Sequence, residues 1–393
     1  MLSDIRKMYL FGFFRNFFLI GAISVPFFLE WGKLNYTQMF ILQSWFSFWL
    51  FILEIPTGAI ADRFGRKTSI VLGGFIASVG IFIYSLVPNF MLFLIAEFLA
   101  ALGGALISGA DRALIYDKLK QMKQVKQAKY VFSNYTIANT LGVIVALPLG
   151  SYIAGSMIWA HPSNYSFVMA YNSIPLFFSS IVALFVKEPK KSTKINENYF
   201  LIAKKGLEYF INHKILRTLA LDLILISAMT FYIYWLYQPL LKNVGVDVKY
   251  FGFVGAAFNI FEIILLRNLK FIEKHFNNRN IIFLTAAIPG LMYVLLGFFQ
   301  NIILLIFGLL LIVGFKELRR PIFEHYINKL IPNKQRATIL SSISMLERMV
   351  IAVVYPIVGI LTDYSLNFAL IILGTLTLVL TFLSRVTKEM FDG

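Results

Sequence analysis

The stretch Gly58-Ala-Ile-Ala-Asp62-Arg63-Phe-Gly65-Arg66-Lys67 separates two apolar runs of the chain. It places an acid, a glycine and a basic cluster in a short polar break. A helix that crosses the hydrocarbon core of a bilayer needs about 20 apolar residues, and both flanking runs reach that length. The stretch therefore predicts a tight loop at a membrane surface, between the second and third membrane-spanning helices.

The composition predicts an all-α polytopic membrane protein. Of the 393 residues, 59% are hydrophobic and only 14% are charged, whereas about a quarter of the residues in a soluble domain are charged. The absence of cysteine excludes disulfides and thiolate metal sites. The four histidines fall in predicted loops or at helix ends, so we expect neither a metal site nor a histidine proton relay. The first apolar run, from about Met8, lacks a small-residue cleavage site and is predicted to remain as a span.

The charge distribution predicts the orientation of the chain. Most of the 36 Lys and Arg residues lie in one set of alternate loops and in the termini, and only Lys33, Lys242 and Lys249 lie in the opposite loops. By the positive-inside rule, both termini face the cytoplasm, in a plasma or inner cell membrane. Topology and anionic lipid explain the formal charge of +16. We therefore expect no nucleic-acid partner.

Twelve spans are predicted, at roughly 8–29, 38–59, 68–87, 90–113, 132–156, 166–186, 216–240, 249–270, 281–299, 301–318, 337–361 and 364–385. Residues 187–215 are rich in Lys, Asn and Glu and then become amphipathic, which predicts a cytoplasmic linker with a helix on the membrane surface. This linker divides the chain into two six-helix bundles, 1–186 and 216–393. Each bundle carries an acid followed by bases after its second span, a pattern typical of an internal repeat.

The loop after the second span resembles the signature loop of the major facilitator superfamily at every diagnostic position. The resemblance extends to the twelve spans and the central linker, and it implies a monomeric secondary transporter with two pseudo-symmetric six-helix bundles. It also implies that Asp62 faces the helix start at Arg336, where unpaired N–H groups stabilise a carboxylate, and that Arg66 pairs with Asp117. These contacts would latch the bundles together on the cytoplasmic side. The predicted gate and motif residues are Gly58, Asp62, Arg63, Gly65, Arg66, Lys67, Asp117, Lys316 and Glu317.

Two further motifs of the superfamily are poorly matched. The fourth span has Glu97 where an arginine is usual, and the fifth span keeps only Gly142 and Pro148-Leu-Gly150 of a longer glycine series. Both departures weaken the resemblance to drug/proton antiporters. Other segments, including Glu54-Ile-Pro56-Thr57-Gly58, are similar to a poorly characterised bacterial and archaeal branch, and this one also to reduced-folate and thiamine carriers.

Ionisable side chains inside the spans are functional candidates because burying them in a bilayer is costly. Several lie within about two turns of the inner surface, on the spans that line the central cavity in the superfamily: Arg15, Asp111, Arg112, Asp222, Lys316 and Glu317. We interpret them as an inner gate whose charges pair when the cytoplasmic side is closed. The alternative is that long side chains at helix ends reach the interface by snorkelling.

Glu97 lies about two turns from the outer surface. With Ala101, Gly104, Ser108 and Asp111 it follows the spacing of one helical stripe, which we expect to face the cavity. Desolvation in such a cavity favours the neutral form of a carboxyl group. Glu97 is therefore the leading candidate for a proton or cation site, the alternative being a structural hydrogen bond to a neighbouring helix.

Three further side chains are candidates for contact with substrate. Arg348 in the eleventh span could bind an anionic group or pair with Glu54. Tyr234 and Gln238 share a face of the seventh span and could line the cavity beside a planar substrate, or belong to the interfacial aromatic belt.

These features predict a transporter and not an enzyme. The chain has no phosphate-binding glycine loop and no nucleophile–histidine pair at a common depth in the predicted spans. We expect proton-coupled efflux of a small amphiphilic compound by alternating access, with no cofactor besides a proton gradient. The alternatives are an uptake carrier or uniporter for a vitamin-like organic anion, with Arg15 and Arg348 as clamps, and a non-transporting receptor, scaffold or channel.

Overall fold

The computed structural model describes residues 2–156, 160–188, 208–275, 278–332, 336–384 and 386. Within these ranges the chain is helical and contains no strand. It divides into two units, Met1–Lys194 with Val246–Ala256, and Ile195–Gly245 with Ala257–Gly393. Most of the predicted linker, 187–215, lies outside the described residues, so its surface helix stays a prediction.

Seven α-helices belong to the first unit: α1 (Leu2–Arg15), α2 (Tyr36–Phe64), α3 (Arg66–Tyr84), α4 (Phe90–Ile107), α5 (Ala110–Gln121), α6 (Ala128–Gly155) and α7 (Ser163–Leu184). The short helical segments Leu19–Ala22, Ser24–Pro26 and Phe27–Trp31 follow α1. Because the helical stretches on either side of Ile23 are bent by 62°, the first predicted span is not a straight helix.

The remaining helices are α8 (Lys214–Phe231), α9 (Ile233–Asn243), α10 (Phe251–Arg267), α11 (Leu269–His275), α12 (Asn278–Phe298), α13 (Ile302–Leu330), α14 (Arg336–Tyr364) and α15 (Leu366–Leu383). They build the second unit, except that the first residues of α10 belong to the first unit. Helices α8 and α9 form the seventh span, and Lys214–Asn243 is long and apolar enough to cross a membrane.

Among the described residues, ten helices are long and apolar enough to cross a membrane, and the bent pair at the N-terminus would add an eleventh. Helix α13 has 29 residues, a sufficient length, but it carries Lys316, Glu317, Arg319 and Arg320 close together. These charges explain why composition alone does not mark it as a span. The prediction of an all-α, multi-span membrane fold is confirmed.

Side-chain caps fix where corresponding helices begin. The Asn89 side chain accepts hydrogen bonds from the second and third amides of α4, and Asn301 does the same for α13. Such caps satisfy N–H groups that have no partner inside the helix. The fourth and tenth spans therefore start in the same way, as expected for an internal repeat.

Glycines allow helices to pack closely inside each unit. A Cβ atom on Gly103 of α4 would lie 2.5 Å from the carbonyl oxygen of Gly73 on α3, and one on Gly374 of α15 would lie 2.7 Å from that of Gly290 on α12. Small residues at helix interfaces are a common basis for packing in membranes. These glycines therefore pack α3 closely against α4 and α12 closely against α15.

Candidate functional site

The loop after α2 is organised around Gly65 and Arg66. Gly65 has φ +105°, a conformation that favours glycine. The Arg66 guanidinium forms a salt bridge with Asp117 on α5 and donates a 2.8 Å hydrogen bond to the carbonyl of Ala113. The predicted contact between Arg66 and Asp117 is therefore present, and it ties α3 to α5 inside the first unit.

Glu188, immediately after the sixth span, also holds this loop. Its carboxylate accepts hydrogen bonds from the backbone amides of Arg66 (3.0 Å) and Lys67 (2.8 Å) at the start of α3. A carboxylate is stabilised there by the unpaired amides and the helix dipole. We had not predicted this role, although an acid directly after an apolar span was a visible signal.

Three other residues of the motif are Arg63, Gly58 and Asp62. Arg63 lies 5.4 Å from the centre of the Phe64 ring. Gly58 lies inside α2, where a Cβ atom would meet nothing within 4 Å. The expected contact of Asp62 with the helix start at Arg336 would join different units, so it stays a prediction.

A compact ion-pair cluster joins α1, α5 and α6 in the first unit. Arg15 Nη1 lies 3.0 Å from Asp111 Oδ2, and the Tyr135 hydroxyl donates a 2.8 Å hydrogen bond to the same oxygen. The Asp111 side chain is 8% exposed and that of Arg15 is 28% exposed. Two predicted site residues are thus brought together, with Tyr135 as a third member that sequence analysis missed.

The predicted stripe from Glu97 to Asp111 is interrupted. Helix α4 ends at Ile107, Gly109 has φ +74°, and Asp111 lies in the first turn of the separate helix α5. The predicted stripe is therefore not carried by one unbroken helix, although Phe90–Gln121 still forms a single candidate span. That the stripe faces a cavity stays a prediction. Ser108, at the break, is exposed.

Glu97 is a buried acid in the first unit. The whole Glu97 residue is 6% exposed. Gln43 Nε2 donates a 3.0 Å hydrogen bond to Oε1, and the phenol of Tyr84 lies beside the carboxyl. Within the described part of the chain, no cation is found among the groups that act on this carboxyl. Glu97 therefore differs from Asp111 and Asp117 of the same unit, which form salt bridges with arginines.

A second charged cluster lies in the second unit. Lys316 forms a salt bridge with Glu317, and the Tyr234 hydroxyl donates a 3.0 Å hydrogen bond to Glu317 Oε1. The Lys316 ammonium lies 5.1 Å from the centre of the Tyr234 ring. Gln238, one turn after Tyr234, is fully buried.

Asp222 pairs with an arginine that we had not predicted to lie in a span. It forms a salt bridge with Arg319, which is 1% exposed, and accepts a hydrogen bond from the Ser384 hydroxyl. Arg319 Nη1 also donates to the Ile282 carbonyl (2.9 Å) and to Thr285 Oγ1 (3.0 Å). The pair thus links α8, α12, α13 and α15.

The remaining charged candidates are described separately in each unit. Arg112 is exposed. Glu347 pairs with Arg320, whereas Arg348 beside it is exposed, and its suggested pairing with Glu54 stays a prediction because these residues belong to different units. The pairing of inner-gate charges between the bundles is likewise untested.

Long apolar helices with buried acids and ion pairs are typical of a polytopic membrane transporter. The family profile of the Major Facilitator Superfamily matches residues 8–317, and the chain belongs to this superfamily. The prediction of a multi-pass transporter, and not an enzyme, is confirmed.

The relatives are distant in sequence. The MFS-type transporter YxaM of Bacillus subtilis is 22% identical over 357 residues, 87% of this chain and 85% of YxaM. The quinolone resistance protein NorA of Staphylococcus aureus is 25% identical over 331 residues, 81% of this chain and 80% of NorA.

Solved structures of two transporters share the fold. The nucleoside transporter NupG superposes with a TM-score of 0.77 at 12% identity, covering 100% of this chain and 99% of NupG. An inward-facing, occupied bacterial homologue of the human lysosomal transporter Spinster gives 0.78 at 14% identity, covering 99% and 97% of the two chains.

Proposed function

We propose that the chain exports a small amphiphilic compound by alternating access and that proton movement drives the export. The observation that carries this proposal is Glu97, a buried acid without a cationic partner in the described part of the chain. A lone carboxylate is costly inside a bilayer, so binding a proton would relieve the cost and release would require access to water. The similarity to NorA, whose name denotes quinolone resistance, favours export.

The arrangement of the arginines argues against the anion-uptake alternative. One of the two suggested anion clamps, Arg15, already has its charge balanced by Asp111 at 3.0 Å. An anionic substrate would have to displace that carboxylate. We propose a monomer in the cell membrane, the monomer being what the resemblance to the superfamily implies. The basic alternate loops support cytoplasmic termini.

The test is Glu97→Gln, which keeps the shape and the Gln43 contact but cannot ionise. Purified protein is reconstituted into liposomes that are loaded with ethidium or a quinolone. An imposed pH gradient then supplies the outward-directed driving force. We expect the variant to lose at least about tenfold of the pH-driven rate, while exchange of labelled for unlabelled compound without a gradient continues.

Glu324→Gln is the matched control, because the Glu324 side chain is 46% exposed and pairs with Arg320 at 3.6 Å. It should transport like the unmodified protein. If Glu97→Gln retains full pH-driven transport, Glu97 is not the proton site. If unmodified protein shows no export of either compound class, the substrate assignment is wrong.

A further inference from the structure

The ammonium group of Lys316 is held in a pocket-like arrangement of one acid and two aromatic rings. Its Nζ forms a salt bridge with Glu317 and lies 5.1 Å from the ring centre of Tyr234 and 6.0 Å from that of Phe231. A carboxylate with aromatic faces is the arrangement that recognises substituted ammonium ions. We propose that this is a binding site for organic ammonium groups, and that Lys316 is a resident cation which such a ligand displaces.

The parts of this ammonium site are fixed by the fold of the second unit. The Tyr234 hydroxyl donates a 3.0 Å hydrogen bond to Glu317, which orients both the carboxylate and the ring. Phe231 and Tyr234 are themselves in edge contact, with ring centres 5.9 Å apart. The cage therefore does not depend on Lys316 for its shape.

A second acid raises the negative charge around the site. A Cβ atom on Gly314 of α13 would lie 2.4 Å from the Phe261 ring of α10, so the two helices are in close contact. This contact brings Glu262, the next residue of α10, into electrostatic range of Lys316 and Glu317. Arg320 also acts on Glu317, but it forms salt bridges with Glu347 and Glu324 as well. Two cations, Lys316 and Arg320, are therefore set against four carboxylates, and the site can accept a further positive charge.

Displacement of the lysine is sterically reasonable. The Glu317 side chain is 22% exposed and that of Lys316 is 12% exposed, so neither side chain is fully enclosed. Lysine has a flexible four-carbon stem and a compact ammonium group. Swinging that stem away would leave the carboxylate and both rings to an incoming ligand.

The inference rests on the proposed export function, because it names the chemical class of the compound: an amphiphile with a protonated or quaternary amine. While Lys316 occupies the site, a ligand cannot bind there. The apparent Kd of the ligand is therefore its intrinsic Kd divided by the fraction of time that the site is vacant. If Lys316 vacates the site for about a tenth of the time, its removal tightens binding about tenfold.

The experiment measures equilibrium binding of benzyltrimethylammonium to purified protein in lipid nanodiscs by calorimetry. Lys316→Met removes the ammonium but keeps an unbranched side chain, and we expect about tenfold tighter binding than in the unmodified protein. Lys316→Arg keeps a resident cation and should show no gain. Benzyl alcohol, which is uncharged, and sodium chloride at equal ionic strength are the reference ligands.

The aromatic faces are tested in the Lys316→Met background. Tyr234→Phe keeps the ring and should retain most of the gain, whereas Tyr234→Leu should abolish it. Lys316→Gln replaces Lys316→Met if the latter does not fold, as judged by thermal unfolding.

Three results would overturn the inference: unchanged or weaker binding after Lys316→Met, an equal gain for benzyl alcohol, or an equal response to sodium chloride alone. This binding readout needs no transport and no pH gradient. Failure of the ammonium site in this binding test can therefore be distinguished from failure of proton-coupled export in the Glu97 test.

Discussion

Removing one partner of the buried ion pair between Asp222 and Arg319 should destabilise the second unit by several kcal/mol. Asp222→Ala would leave a guanidinium that is 1% exposed without its counter-charge. Removing one partner of a buried pair costs about 3–5 kcal/mol. At roughly 2–4 °C per kcal/mol for a domain of 150–250 residues, the midpoint of thermal unfolding should fall by about 6–20 °C.

The double variant Asp222→Ala/Arg319→Met separates the charge from the packing. Replacing both members of a buried pair by apolar groups is often neutral or stabilising. The double variant should therefore recover most of the lost unfolding temperature. The assay is intrinsic-fluorescence thermal unfolding in one detergent at one pH, with the conservative variant Ser384→Ala as the reference for losing only a hydrogen bond to Asp222.

Two outcomes would contradict this reasoning. The first is a decrease of less than about 2 °C for Asp222→Ala, since that is below the smallest shift expected for 1 kcal/mol. The second is a double variant no more stable than the single one. The same proteins also test Asp222 as a transport residue: a double variant that is stable but inactive would support that role, and one that is stable and active would assign Asp222 to structure alone.

Two further predictions concern the loop after α2. Glu188→Ala removes the acceptor for two backbone amides at the start of α3 and should destabilise the first unit by about 0.5–2 kcal/mol; Lys187→Ala is the control, and equal unfolding temperatures for both would refute the capping role. Asp62→Asn should weaken the predicted cytoplasmic latch, and it should therefore slow transport and increase labelling of a cysteine introduced at Asn328. The labelling is specific because the chain has no cysteine of its own. Unaltered transport together with unaltered labelling would refute the latch.

The sequence was sufficient for the fold because its strongest signals concern length and polarity. Apolar runs of membrane-spanning length and basic alternate loops are averaged over many residues, so single exceptions do not hide them. The contact of Arg66 with Asp117 could also be predicted, since it follows a motif with fixed spacing. The bend near Ile23 and the break at Gly109 could not, because each depends on the backbone angles of one or two residues.

The partners of the buried charges were the least predictable feature. The predicted tenth span ends at residue 318, directly before Arg319. The structure extends α13 to Leu330 and buries Arg319, since Asp222, Ile282 and Thr285 supply acceptors from two other helices. Those acceptors are distant in sequence, and only helix packing brings them to one point.

The sequence predicts where each gate charge lies along its span. It does not predict which side of the helix the side chain lies on, and so it does not predict the partner. The structure pairs Arg15 with Asp111 in the first unit and Lys316 with Glu317 in the second. Charges neutralised within their own unit can move with it, because no lone charge is then left to the apolar surroundings. Alternating access would then not require these pairs to break. The exception is an acid such as Glu97, whose charge no neighbouring base balances within the described residues, and this is the reason for placing proton coupling there.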